Sequence, residues 1–499
     1  MSSTSLGIFS LPNELLLLVF KNLLPSVFDC ENDLFPESEL RSELPWPLVA
    51  SSICRVWRDL VITTPDMWTF IKVSEGHLDR LPLFLDRSSP CTYDLIIPSH
   101  MFNEPYLTHE RIIKKAHDHF DRMRSLILYK INAADFALYH TTFSRVATPH
   151  LEHFCLYFKT RWSGGEMDML EAPLFSDTTA LRSLCLRAIP DPLPPMPAHL
   201  THLEIRGFSP TRWEFQKLFS DCPSLKRLCL PTLSVAAADA LETESIDASS
   251  LRSLSFSLGD DHPSARCCCT LSVLHLPNLE YLEVLGGTGL SNPLGSHFLN
   301  DSDGTTNGTS FQKVSTLHLS DLTITEMDVV FCHKLTAVTN LELHLIMDKD
   351  IRSLLRIPET ATDNPPLPFA QLNSLTINAF GTDLKQLASL LNIRVPKYQS
   401  SFELSLWNVT FLDAEDSEPR PEELFHDAVK INVVHGNTIP SLEFFSDPYD
   451  SYGEDSWDNS DSEGWAEGVD EYEYDMYGDE HWFDEEEYEE EYEEYESDY

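Results

Sequence analysis

Positive charge is scarce in this chain: 35 Lys and Arg stand against 80 Asp and Glu, a net of −45 over 499 residues. Nucleic acids and anionic membrane surfaces need clustered cations, so neither is an expected partner. Long apolar runs are missing too. The best, Leu15 to Phe20, lies between Glu14 and Lys21, far short of the ~18–20 residues of a membrane helix. No basic stretch with a small-residue cleavage site opens the chain, so no secretory signal is expected. The 11 cysteines are odd in number and irregularly spaced. They read as reduced thiols of a cytoplasmic or nuclear protein. The Asn-x-Ser/Thr triplets at Asn300, Asn307 and Asn408 are then chance matches.

Enzyme signatures are equally sparse, and the reading is a non-enzyme with no cofactor. No Walker motif and no Gly-x-Ser-x-Gly occur. Gly286-Gly287-Thr288-Gly289 lacks the third glycine of a dinucleotide loop. His109-Glu110 has no second histidine four residues after the first. Asp301-Ser302-Asp303-Gly304-Thr305 looks like a phosphatase nucleophile loop, but no apolar strand precedes it. As a calcium loop it carries Gln312 where a bidentate Glu is needed. Cys267, Cys268 and Cys269 with His262 and His275 have poor zinc spacing. No residue is therefore assigned to catalysis or metal binding.

The acidity is uneven. Residues 447–499 hold 25 Asp and Glu with no Lys or Arg, and the last basic residue is Lys430. This tail has no apolar periodicity, so disorder is expected. The chain as a whole is 42% hydrophobic and 11% aromatic, enough for a sizeable core.

Two features dominate the body. First, residues 11–24 read as a short helix that is apolar on nearly every face. A polar spacer at 25–46 follows. Next, 46–68 reads as a helix with stripes Leu48/Ser52/Val56/Leu60 and Val49/Ile53/Trp57/Leu60, ended by Thr64-Pro65. A helical unit of this size cannot bury all its apolar surface, so it either engages a partner or caps the next structure. Second, apolar-x-x-apolar-x-apolar recurs from residue 123. It runs through Met123/Leu126/Leu128, Leu151/Phe154/Leu156, Leu181/Leu184/Leu186, Leu200/Leu203/Ile205 and Leu225/Leu228/Leu230. Leu251/Leu254/Phe256, Leu279/Leu282/Val284, Val314/Leu317/Leu319, Val338/Leu341/Leu343 and Leu372/Leu375/Ile377 continue it. Steps of ~20–35 residues are the signature of leucine-rich repeats, which stack into a solenoid. The usual Asn or Cys is replaced by apolar residues such as Leu322 and Ile346, so the repeats are irregular. The expected fold is α/β: a helical unit at 1–70, a repeat solenoid with a parallel sheet on its concave face at 71–446, and the tail at 447–499.

The N-terminal residues Leu11-Pro12-x-Glu14-Leu15, Val19-Phe20, Leu23-Leu24, Ile53-Cys54-x-Val56-Trp57-x-x-Leu60 and Thr64-Pro65-Asp66-Met67-Trp68 resemble the F-box-like domain of mushroom-forming fungi. The resemblance implies a substrate receptor of a Skp1–cullin–F-box ubiquitin ligase. Its helices would bind the Skp1-like adaptor, and its repeats an unknown protein substrate. By match to the motif, Leu11, Pro12, Glu14, Leu15, Val19, Phe20, Leu23, Val49, Ile53, Cys54, Val56 and Trp57 would meet the adaptor or build the helical fold. Two other readings stay open: a repeat scaffold with no ligase role, and a binder of basic proteins such as histones through the acidic tail.

Alternation along the repeat strands places Arg187, Arg206 and Arg227 in one solvent lane, with Arg182, Lys226 and Arg252 nearby. That lane is a candidate surface for anionic substrates or for the tail. Later strands expose Glu283, His318, Glu342, His344 and Asn378 on the same expectation.

Overall fold

The computed structural model describes residues 11–434 apart from several segments, the largest being 25–44, 160–173, 234–244, 259–270, 299–310, 356–368 and 408–423. The tail, most of the 25–46 spacer, Cys267–Cys269 and Asp301–Thr305 lie outside the described residues.

The body is α/β, built on one 14-stranded parallel sheet. Its strands are β1 (Phe70–Lys72), β2 (Tyr93–Pro98), β3 (Met123–Ile131), β4 (His153–Phe158), β5 (Ser183–Arg187), β6 (His202–Arg206) and β7 (Arg227–Leu233). Then follow β8 (Ser253–Leu258), β9 (Tyr281–Leu285), β10 (Thr316–Ser320), β11 (Asn340–His344), β12 (Ser374–Asn378), β13 (Phe402–Trp407) and β14 (Val429–Val434). Each strand lies beside its predecessor in the chain. A short parallel pair, Ile246–Asp247 with Leu274–His275, stands apart from this sheet. The ten apolar runs are the ten strands β3 to β12, with every one of their three marker residues buried.

The leucines face helices that return the chain between strands. Where a helix has a cap, the sequence supplies it. Thr211 and Glu214 form a reciprocal capping box on Arg212–Asp221, and Thr325 and Asp328 do the same on Glu326–Lys334. Phe215, Leu218, Phe331, Ile351 and Leu354 from these and neighbouring helices share one buried cluster with the strand leucines. That cluster is continuous from Leu16 to Val429. The N-terminal helices therefore share a core with the strands that follow.

Those helices are α1 (Asn13–Lys21), α2 (Trp46–Ile53) and α3 (Arg55–Ile62). The expected single helix over 46–63 is two. Cys54 breaks it with φ −155° and ψ 170°, and its Sγ accepts from the Trp57 N–H at 3.4 Å. Cys54 thereby acts as the cap of α3. Thr64-Pro65 then turns the chain into Met67 and Trp68, both fully buried. The Trp68 indole donates to the Val61 carbonyl at 2.9 Å and meets Phe84 edge-on at 5.0 Å.

The second face of the sheet differs from expectation. Its middle row, in register, is Ile127, Cys155, Cys185, Glu204, Cys229, Ser255, Glu283, His318, Glu342 and Thr376. Cys185, Arg187, Arg206, Cys229, Glu283, His318, His344 and Asn378 are buried rather than in solvent. Strands ~4.8 Å apart bring these side chains into lateral contact. Ile96, Ile127, Cys155 and Cys185 form a small apolar cluster of their own there.

Candidate functional site: an apolar helical face and a charged sheet face

Helical spacing divides α1 into two faces. Leu16 and Phe20 turn inward, 2% and 1% exposed. Phe20 packs edge-on against Trp46 at 6.0 Å and Trp57 at 4.7 Å. The stripe Leu11, Leu15, Val19 and Leu23, four residues apart, faces solvent. Leu18 lies on its border, 57% exposed. From α2 and α3, Ile53, Val56 and Ile62 are exposed as well. Eight of the fifteen large apolar side chains exposed among the described residues thus fall between Leu11 and Ile62. Such concentration marks an interaction surface better than scattered exposure would.

Of the twelve residues matched to the motif, Leu11, Pro12, Glu14, Leu15, Val19, Leu23, Ile53 and Val56 are exposed. Val49 and Cys54 are half-buried. Phe20 and Trp57 are not surface anchors: they fill the core of the helical unit. Leu18 and Ile62 were missed. Leu18 is three residues after Leu15, a spacing that already predicted a shared face.

The arginine lane is corrected in two respects. Arg187 and Arg206 are register partners on β5 and β6, but Arg227 is opposite His202, at the other end of the strand. Counted from the middle leucine of each run, Arg187 and Arg206 come three residues later and Arg227 one earlier. The two aligned arginines are also buried and already matched to a carboxylate. Glu204 Oε1 is 3.1 Å from Arg187 Nη2 and accepts from Arg206 Nε at 2.6 Å. Burial raises the Glu204 pKa, but Arg187 and Arg206 outweigh it and hold the carboxyl below its ordinary range. Arg182, Lys226, Arg227 and Arg252 instead lie exposed at the strands' N-terminal ends. Arg252 Nη1 is 3.4 Å from Glu280 Oε1 there.

One buried set imitates a hydrolase. Ser99 Oγ lies 2.9 Å and Asp135 Oδ2 3.6 Å from His109 Nε2, while His109 Nδ1 meets the Tyr139 hydroxyl at 2.8 Å. Serine and aspartate thus approach the same nitrogen, so no proton relay through the ring is possible. Ser99, His109 and Asp135 are also closed off from solvent. Ser99, His109 and Tyr139 form a core hydrogen-bond network, with the Asp135 carboxyl beside it and not hydrogen-bonded to it. Burial pushes His109 down to about 4 and Asp135 up to about 6, so both are neutral between those two values.

The cysteines described, Cys54, Cys91, Cys155, Cys185, Cys222, Cys229 and Cys332, are all free. Among the described residues no helix is long and apolar enough to cross a membrane. No protein-family model and no curated protein matches the chain.

Proposed function

We propose that this protein is the substrate-recognition subunit of a Skp1–cullin–F-box ubiquitin ligase. The exposed stripe Leu11/Leu15/Val19/Leu23 beside a filled core carries the reading. A helix that keeps one apolar face outside its own core is built to lie in another protein's groove. In this reading Leu15 and Val19 are the central anchors, Ile53 and Val56 extend the contact, and Phe20 and Trp57 hold the helices in place. The parallel sheet and its loops are the surface for a protein substrate, and the chain itself performs no chemistry. Trp68, locked beneath α3, fixes the helical unit to the first strand, so a bound adaptor would hold the sheet in a defined orientation.

Coexpression of the full chain with a Skp1-type adaptor tests this. The wild-type chain is expected to copurify with it. Each buried anchor contributes roughly 1–2 kcal/mol, so Leu15→Ser with Val19→Ser weakens capture by at least about tenfold. An unchanged circular-dichroism melt shows that the fold is intact. Failure of the wild type to copurify, or equal capture by the double variant, overturns the proposal.

A further inference from the structure

Three metal-type donors meet on the second face of β10 and β11. The register sets His318 directly opposite Glu342. Glu342 and His344 are two residues apart on one strand, so they share a face. His318 Nδ1 is 3.2 Å from Glu342 Oε2. The two imidazoles stack with centroids 4.5 Å apart and planes tilted by 25°. One donor atom from each of the three residues lies within 4.8 Å of the others.

A second observation points to a ligand. His318 and His344 are 1% and 2% exposed, yet Nε2 of each is buried with no hydrogen-bond partner. A buried imidazole nitrogen normally finds a partner, and two beside each other in one cluster need a common explanation. The surroundings have the pattern of an outer coordination layer. Asn378 Nδ2 lies 3.4 Å from His344 Nδ1; with the amide turned over, its oxygen would accept from Nδ1–H and leave Nε2 free to ligate. Glu283 Oε1 is 3.9 Å from His318 Nδ1, and Ser255 Oγ donates to Glu283 Oε2 at 2.6 Å. Two carboxylates, Glu283 and Glu342, thus lie beside the two rings, a setting that favours a cation.

We propose that His318, Glu342 and His344 bind a single zinc ion. Two imidazoles and a carboxylate are a donor set for zinc, whereas calcium and magnesium select oxygen ligands throughout. Tetrahedral zinc with bonds of about 2.0–2.1 Å spaces its donors by about 3.4 Å. The donors lie within reach of one ion, and binding it would turn the two rings out of their stack so that both point at the metal. Glu342 is 36% exposed at its side chain and gives the ion a way in. Three protein ligands leave a fourth position for water or for Glu283.

The test uses the full chain, stripped with chelator and dialysed against zinc in excess magnesium so that exposed carboxylates are saturated. Elemental analysis should return one zinc per chain, and zinc should raise the thermal midpoint. Cobalt in its place should show ligand-field bands without the intense thiolate charge-transfer band. His344→Gln and Glu342→Gln should each weaken zinc binding by more than about tenfold. Glu342→Gln, at a partly exposed position, keeps the fold if the histidine variant does not. Cys267→Ser with Cys268→Ser and Cys269→Ser should bind zinc as the wild type does. Absence of a tightly held zinc in the wild type overturns the proposal. So does wild-type affinity in Glu342→Gln, or loss of binding in the triple serine variant.

Discussion

Replacing Glu204 with glutamine should loosen the sheet locally and strongly. The change keeps the volume and one acceptor oxygen and removes only the charge. In the native sheet that carboxylate lies between two guanidiniums, 3.1 Å from Arg187 and 2.6 Å from Arg206. All three side chains are largely withdrawn from water, at 4%, 17% and 8% exposure. Without the charge, two like charges remain on adjacent strands about 4.8 Å apart. Breaking a buried ion pair costs about 3–5 kcal/mol. The retained amide oxygen and the partial exposure of Glu204 bring the expectation to about 3 kcal/mol. Native-state hydrogen exchange read on peptides from β5 to β7 measures this directly, since it reports local opening. About 3 kcal/mol corresponds to exchange faster by roughly 100-fold. The exposed pair Lys430–Glu403, at 3.6 Å, is the control. Lys430→Gln should change exchange by less than about fivefold, because surface ion pairs contribute ~0–1 kcal/mol. Exchange in Glu204→Gln within fivefold of the wild type would refute the buried-pair argument.

Two further outcomes follow from burial and register. Leu228→Ala, at a fully buried position, should cost roughly 2–5 kcal/mol, whereas the exposed neighbour Arg227→Ala should stay within about 0.5 kcal/mol; equal losses by hydrogen exchange would mean the faces are exchanged. The neighbouring buried groups His109 and Asp135 predict a compensated pH response. His109 is lowered from 6.5 to about 4, so on its own it loses stability as pH falls through that window. Asp135 is raised from 3.8 to about 6, so on its own it gains stability as pH falls from about 6. The two cancel near pH 5, where the folded and unfolded states bind equal numbers of protons. Asp135→Asn should expose the histidine and become acid-sensitive relative to the wild type by up to about 1.4 kcal/mol per pH unit, and His109→Gln should show the opposite slope. Parallel urea-midpoint curves for all three proteins from pH 7 to 4 would refute these protonation states.

Much of the sheet was legible because its ten strands repeat one spacing that places three residues in the core. The strands that escaped break the spacing at its lead position. Thr92, Ser401 and Ala428 stand where β2, β13 and β14 would carry a large apolar residue. For β1 the lead is Trp68, read instead as the end of the helical motif. The break at Cys54 has no Gly or Pro to announce it, since helical periodicity runs on across it. The arginine lane failed by counting. All three arginines alternate to the same face, but alternation alone does not say how far along the strand each one stands. The His318, Glu342 and His344 cluster lacks the short spacing of a metal motif. It exists only through the pairing of residues 24 apart in the chain, and that pairing requires the register of β10 on β11.

Every strand pairs with its neighbours in sequence, apart from the short 246–247 and 274–275 pair that stands aside. The thirteen junctions of the sheet are therefore linked in series, and none closes the two ends on each other. In a chain of couplings, a weakened link isolates damage instead of spreading it. Loss of one junction leaves the strands on either side with all their other pairings, so unfolding should advance like a zipper from a weak point or an end. Evolution can lengthen or shorten such a molecule one unit at a time, and a surface several strands away need not be remade.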